Sequence, residues 1–263
     1  MSGCGNRRTP KSLTSTFSRA RPSTKLHGTL DGGGSAARKY LAITYGPVPL
    51  WKALLQEFAT LLFGGIPGAL GIALRKVFYR PFFAECGRKV VIGRHVTFRH
   101  ACKIRLGDGV VLDDNSVVDA KGEGNDGIRL DAGVYVGRNT IVYCKGGSIH
   151  CGERSSFSAN CILFSSNRLD IGAGTTVGSF SYFLSGGEYD PANPLPFTEQ
   201  DGMCTRGPLS IGPDCWFGAH VTVLDAAQSI GERCVFGAGT VVTKPVPAHS
   251  LVVGVPGRVT RRV

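Results

Sequence analysis

The chain has 263 residues, 42% of them hydrophobic, and a formal charge of +11; that apolar share supports a sizeable core and excludes disorder throughout. Its 37 glycines follow no Gly-X-Y triplet, which excludes a collagen helix and assigns the excess to backbone turns. In residues 1–42, Arg7, Arg8, Lys11, Arg19, Arg21, Lys25, Arg38 and Lys39 stand against Asp31 alone, so +7 of the +11 lies there. The remaining body is close to balanced, which argues against a nucleic-acid partner.

Residues 1–42 are rich in Ser, Arg, Gly and Thr and show no apolar leader followed by a cleavage site. They read as a disordered basic tail, with some likeness to an organellar transit peptide, and no function is assigned to them. Residues 43–88 hold short helices. Leu50, Trp51, Leu54, Leu55 and Phe58 recur at helical spacing, a second pattern runs from Leu70 to Phe82, and Gly64-Gly65-Ile66-Pro67-Gly68 separates the two. The uncharged run Phe58–Leu74 falls short of a comfortable membrane span and contains that break, so no transmembrane helix is expected. Two readings stay open for 48–83: a cap on the end of the following repeats, or an interfacial segment with Arg75, Lys76 and Arg80 toward lipid headgroups.

From residue 92 an apolar residue returns every sixth position, grouped in triplets separated by short slips. The positions are Ile92 and Phe98; Leu106, Leu112 and Val118; Leu130, Val136 and Val142; Cys151, Phe157 and Leu163; Ile171, Val177 and Phe183; Ile211, Phe217 and Val223; Ile230, Phe236 and Val242. The residue four further on is small or β-branched, as at Ser116, Thr140, Ser155, Thr175, Ser181 and Thr240. A step of six belongs to neither a helix nor a simple strand, so it predicts a solenoid of short parallel strands, three per coil. Gly and Asp after the beat positions are expected to supply the corner conformations. The nine cysteines form no CxxC pair; metal binding is not expected, and buried reduced thiols suit a cytoplasmic protein.

The C-terminal run Ile211-Gly212-Pro213-Asp214-Cys215-Trp216-Phe217-Gly218-Ala219, with Gly237-Ala238-Gly239-Thr240-Val241-Val242-Thr243-Lys244 and Val253-Gly254-Val255-Pro256-Gly257-Arg258, resembles the signature of the hexapeptide-repeat acyltransferases. These include maltose, galactoside and serine O-acetyltransferases and polysaccharide-modifying relatives. The resemblance covers roughly residues 90–260. It implies a left-handed parallel β-helix over 89–263, where the usual right-handed crossover rule would mislead. It also implies a homotrimer and transfer of an acetyl or similar group from acyl-CoA to a hydroxyl or amine of a saccharide or lipid-linked saccharide. By the same resemblance, Trp216, Ala219, Gly237, Ala238, Gly239, Lys244 and Arg258 line the CoA groove.

Between Phe183 and Ile211 about 22 extra residues are extruded, predicting a loop over 184–210. In the family such a loop reaches a neighbouring subunit and carries a histidine base. Here Gly186-Gly187-Glu188-Tyr189-Asp190-Pro191 occupies that stretch. Glu188 and Asp190 are candidate bases if burial raises them, with solvated turn residues as the other reading; Tyr189 stands where the histidine should be. His220 is a further candidate, expected to point outward. Alternative functions are a metalloenzyme resembling the β-helical carbonic anhydrases, suggested by His95 and His100, and a β-helical scaffold without catalysis. The expected location is cytoplasmic, with peripheral contact at the inner face of a membrane as an option.

Overall fold

The computed structural model describes residues 18–19, 35–197, 199–200 and 204–262. Most of the stretch read as a tail lies outside them. Two departures from that reading are visible. Ser18–Arg19 pairs antiparallel with Cys204–Thr205, and helix α1, Ala36–Thr44, begins ahead of the boundary at 42, with the Ser35 side chain accepting from the Arg38 N–H at 3.3 Å. A Ser N-cap satisfies an amide that the first helical turn leaves unpaired. Helices α2, Leu50–Phe63, and α3, Gly68–Phe78, follow on either side of the glycine-rich break.

The remainder is a left-handed parallel β-helix with three faces. The first face runs from Glu85–Cys86 to Ser229–Ile230 and the third from Thr97–Arg99 to Val241–Val242, seven strands each. The second runs from Val91–Ile92 through Val235–Phe236 and is completed by Ser250–Val253 and an antiparallel last strand, Arg258–Arg262. Register keeps like over like: Val118, Val142, Leu163, Phe183, Val223 and Val242 stack coil on coil. Phe217 lies flat on Phe236 with ring centroids 4.4 Å apart and edge-on to Phe183 at 5.0 Å. All of these inward side chains are buried, so the six-residue beat is the core.

Every slip in the beat falls at one corner. Passage from the first face to the second and from the second to the third takes one hexapeptide throughout, as in Ile211, Phe217 and Val223. The third-to-first passage instead varies, from Val118 to Leu130, from Val142 to Cys151, and from Phe183 to Ile211. One edge of the prism therefore carries all the irregular chain, including the long loop.

The glycines after the beat positions serve a different purpose from the one expected. A Cβ on Gly218 would lie 2.8 Å from the Ala238 amide nitrogen of the next coil, so it is close approach that excludes a side chain. The left-handed conformation falls two residues later, at Asn115, Asn139, Asn160, Phe180 and His220 along the second-to-third corner. Asn pays little in that region, whereas Phe180 is an outlier for a bulky side chain.

Helices α2 and α3 cover the open end of the first coil. Ala59, Tyr79, Phe82 and Phe83 join the continuous core, and Phe83 meets Phe98 edge-on at 4.9 Å. Arg75, 1% exposed, donates to the carbonyls of Phe63 at 2.9 Å, Ile66 at 2.8 Å and Ile92 at 2.9 Å. One buried guanidinium thus ties the end of α2, the turn after it and the first coil together. The capping reading describes this inner face. The outer face of α2 leaves Leu50, Trp51, Leu54, Phe58 and Leu61 exposed. Among the described residues no helix is long and apolar enough to cross a membrane.

Candidate active site

The extruded loop leaves the third face after Tyr182–Ser185 and returns through Cys204–Thr205. Its mouth is held by Asp225, which is fully buried and accepts from the Gly186 N–H at 2.6 Å, the Thr205 hydroxyl at 3.1 Å and the Arg206 N–H at 2.5 Å. Glu188 and Cys204 then pair through their backbones, each amide donating to the other carbonyl. The Glu188 side chain is half-buried, with Arg206 Nε 3.9 Å from its carboxylate. Burial pushes its carboxyl above the usual range and the Asp225 charge adds to this, while Arg206 opposes it. An acid held upward in this way is closer to the pKa a general base needs at neutral pH.

Tyr189 is exposed and meets Phe197 edge-on at 5.6 Å. Asp190 turns back on its own loop, its carboxylate accepting from the Ala192 N–H at 2.9 Å while its amide donates to Gln200 at 3.1 Å. That is the arrangement of an Asx turn.

The remaining candidates sit elsewhere. Trp216 projects from the second face, 58% exposed. Gly218-Ala219 and Gly237-Ala238 follow it at the second-to-third corner, stacked on consecutive coils so tightly that Gly178, Gly218 and Gly237 leave no room for a Cβ. The result is a strip of small residues along the helix axis, ending in the left-handed Gly239. His220 is exposed beside the strip and lies flat on Phe180, centroids 5.0 Å apart and 5° from parallel. Lys244 and Arg258 are exposed at the C-terminal end.

The structure thus assembles two groups, not one. Glu188, Tyr189 and Asp190 belong to the third-to-first edge, whereas Trp216, Ala219, His220, Gly237, Ala238 and Gly239 belong to the second face and the next corner. Sequence reading missed Asp225 and Phe180. Both occupy corner positions whose neighbours come from other coils, and only the slip after Val223 hinted at the first. His95 and His100 lie at two different corners, on either side of strand Thr97–Arg99, and among the described residues no three His, Cys, Asp or Glu side chains are placed to share a metal ion.

A family profile described as "Hexapeptide repeat of succinyl-transferase" matches residues 208–244. The chain is similar to a Staphylococcus aureus (strain MRSA252) protein named for acetyltransferase activity, 38% identical over 109 residues, 35% of this chain and 54% of that one. It is also similar to galactoside O-acetyltransferase of Escherichia coli (strain K12), 28% identical over 123 residues, 47% of this chain and 58% of that one. The chain thus spans little more than half the length of these curated relatives. Among solved structures it is similar to a maltose O-acetyltransferase from Clostridium difficile 630, with 18% identity, 92% and 99% coverage and a TM-score of 0.43, a likeness too remote to add a functional argument. Repeat, coils and relatives together give the conclusion that the chain carries hexapeptide repeats on a left-handed β-helix and is similar, over part of its length, to proteins named as acetyltransferases.

Proposed function

We propose that this protein transfers an acetyl or similar acyl group from acyl-CoA to a hydroxyl or amine of a saccharide or lipid-linked saccharide, as in polysaccharide synthesis. The observation that carries the proposal is the strip of stacked small residues at Gly218-Ala219 and Gly237-Ala238, with Trp216 exposed just ahead of it and Lys244 and Arg258 exposed toward the C-terminal end. Lys244 and Arg258 hold the CoA phosphates, and Ala219, Gly237, Ala238 and Gly239 leave the backbone open to the pantetheine arm. When bound, the co-substrate supplies an activated thioester carbonyl.

Glu188 takes the proton of the acceptor hydroxyl, its raised pKa matching that task. Tyr189 orients the acceptor, Asp190 keeps the turn in shape, and His220 on Phe180 borders the strip as a second proton acceptor. Because loop and strip occupy different edges, the loop of one copy completes the strip of the next, which supports a homotrimer. The exposed apolar face of α2, with Lys76 and Arg80 exposed nearby, supports peripheral contact with an anionic membrane surface.

The test is thiol release from acetyl-CoA with a panel of free and lipid-linked saccharides. Acceptor-dependent release that is lost in Glu188→Gln is expected. No CoA binding at millimolar concentration, or an unimpaired Glu188→Gln, would overturn the reading.

A further inference from the structure

The edge that carries the long loop also carries a cavity of about 510 Å³. It lies where the first three coils turn from the third face to the first, roofed by the turn Gly46–Pro47 between α1 and α2. Its size is that of a small-molecule site. Three lysines, Lys103, Lys121 and Lys145, come to its wall from three successive third-to-first corners, and Glu123 is the one acidic side chain that lines it. Charge is therefore in cationic excess inside a partly enclosed, otherwise apolar wall.

The lysines are brought there by the irregular chain. Lys103 is fixed by donating to the Gly122 carbonyl at 2.5 Å and to Asn125 Oδ1 at 2.9 Å. Asn125 in turn donates to the Gly147 carbonyl at 2.6 Å, and the Gly146 amide to the Lys121 carbonyl at 3.2 Å. The two glycine-containing corners are thereby locked to each other, and their lysines are held on one wall.

His100 completes the wall. It is 5% exposed and its Nε2 lies 3.2 Å from the Ala42 carbonyl, which fixes the proton on that nitrogen and leaves Nδ1 as an acceptor. Nδ1 has no hydrogen-bond partner, and the ring rests under Gly46, whose missing side chain spares it. Burial holds the imidazole pKa below its ordinary value, against the Ala42 hydrogen bond and the Asp119 charge, which raise it. Buried polar atoms without a partner are uncommon and costly.

We propose that this cavity binds a phosphate ester, Lys121 and Lys145 taking the phosphate from two neighbouring corners while Lys103, held by Gly122 and Asn125, adds its charge to the wall. Resting on the acyl-transfer reading, the ligand is the phosphorylated end of the acceptor. Lys145 and Gly186 stand two coils apart on the same edge, joined through Ser165 and Ser185, roughly 10 Å at the usual strand spacing. The cavity thus lies on the edge that carries the Glu188 loop, and α2 begins three residues after its roof at Gly46–Pro47. Both a soluble sugar phosphate and the headgroup of a lipid-linked saccharide have this chemistry.

The experiment is binding by the full chain, without acyl-CoA, of inorganic phosphate, glycerol 3-phosphate and mannose 1-phosphate, with uncharged mannose as control. A second arm uses phosphatidylcholine vesicles with and without a polyprenyl phosphate sugar. Binding of the soluble esters that falls at least tenfold in Lys121→Gln/Lys145→Gln supports the proposal and identifies a soluble source. Binding of the vesicle-borne ester alone, lost in the same variant, supports it and identifies the lipid. The β-sheet circular dichroism of the lysine variant should match the parent's, which separates loss of binding from loss of fold. Absence of binding in both arms, or binding unchanged in the lysine variant, overturns the proposal. CoA release with uncharged saccharides would still leave acyl transfer standing in that event.

Discussion

Asp225 accepts the Gly186 amide at 2.6 Å across 39 residues of sequence and so closes the mouth of the long loop. The same carboxylate receives Thr205 and Arg206 from the returning strand. In Asp225→Ala the buried Gly186 and Thr205 donors lose their acceptor, at about 1–3 kcal/mol each before relaxation, and the partly buried Arg206 N–H loses its own. Limited proteolysis should then cut within 186–208 much faster while the repeats stay intact, and a loop as protected as in the parent would refute the clasp.

Glu188 should control the pH profile of turnover. A base must be deprotonated to work, and burial together with the Asp225 charge raises Glu188, so kcat/KM is expected to rise with pH through a limb above the ordinary carboxylate range. Removing the opposing guanidinium in Arg206→Ala should move that limb higher, and Glu188→Gln should lower turnover by about 10²–10⁴ and abolish the limb. The linkage has a matching sign: a raised folded pKa means that the native state binds the proton more readily, so this group's contribution to stability is present at low pH and lost as pH rises through the Glu188 titration.

Lys244→Ala and Arg258→Ala are expected to raise KM for acyl-CoA about three- to tenfold with little change in kcat, since exposed phosphate contacts contribute about 1 kcal/mol each. Ala219→Leu should be far more damaging, because a branched side chain would fill the strip. Isothermal titration with CoA checks both, and tight binding by Ala219→Leu would move the groove elsewhere.

Arg75→Met should loosen the helical cap. Three carbonyls lose a charged donor, a cost of about 3 kcal/mol or more, and the exposed apolar surface beneath α3 should bind a hydrophobic dye. The β-sheet signal in circular dichroism should persist, since the later coils do not depend on the cap. Simultaneous loss of both would contradict this division.

Leu54→Glu/Leu61→Glu places charge on the outer face of α2, where both leucines are exposed. Co-sedimentation with anionic vesicles should fall while thermal stability stays within about 0.5 kcal/mol of the parent, as for surface substitutions. Equal vesicle binding by parent and variant would rule out this face as the membrane contact.

The sequence by itself determined the solenoid, because the inward beat from Ile92 to Val242 is a local signal and each coil only repeats its neighbour. It also determined the break at Gly64–Gly68 between α2 and α3, and the position of the long loop, since a helix period and a large gap in the beat are both visible in one dimension. Tertiary structure alone decided which residues share an edge. The slips at 118–130, 142–151 and 183–211 look like unrelated interruptions in the chain, yet stacking in register puts all of them on one corner. That is how Lys103, Lys121 and Lys145 meet His100 around one cavity and Asp225 meets Gly186. Such contacts join residues whose spacing follows no period, so nothing in the local pattern could announce them. It also separated Glu188 from Ala219 and Ala238, because a three-sided prism fixes its corners apart.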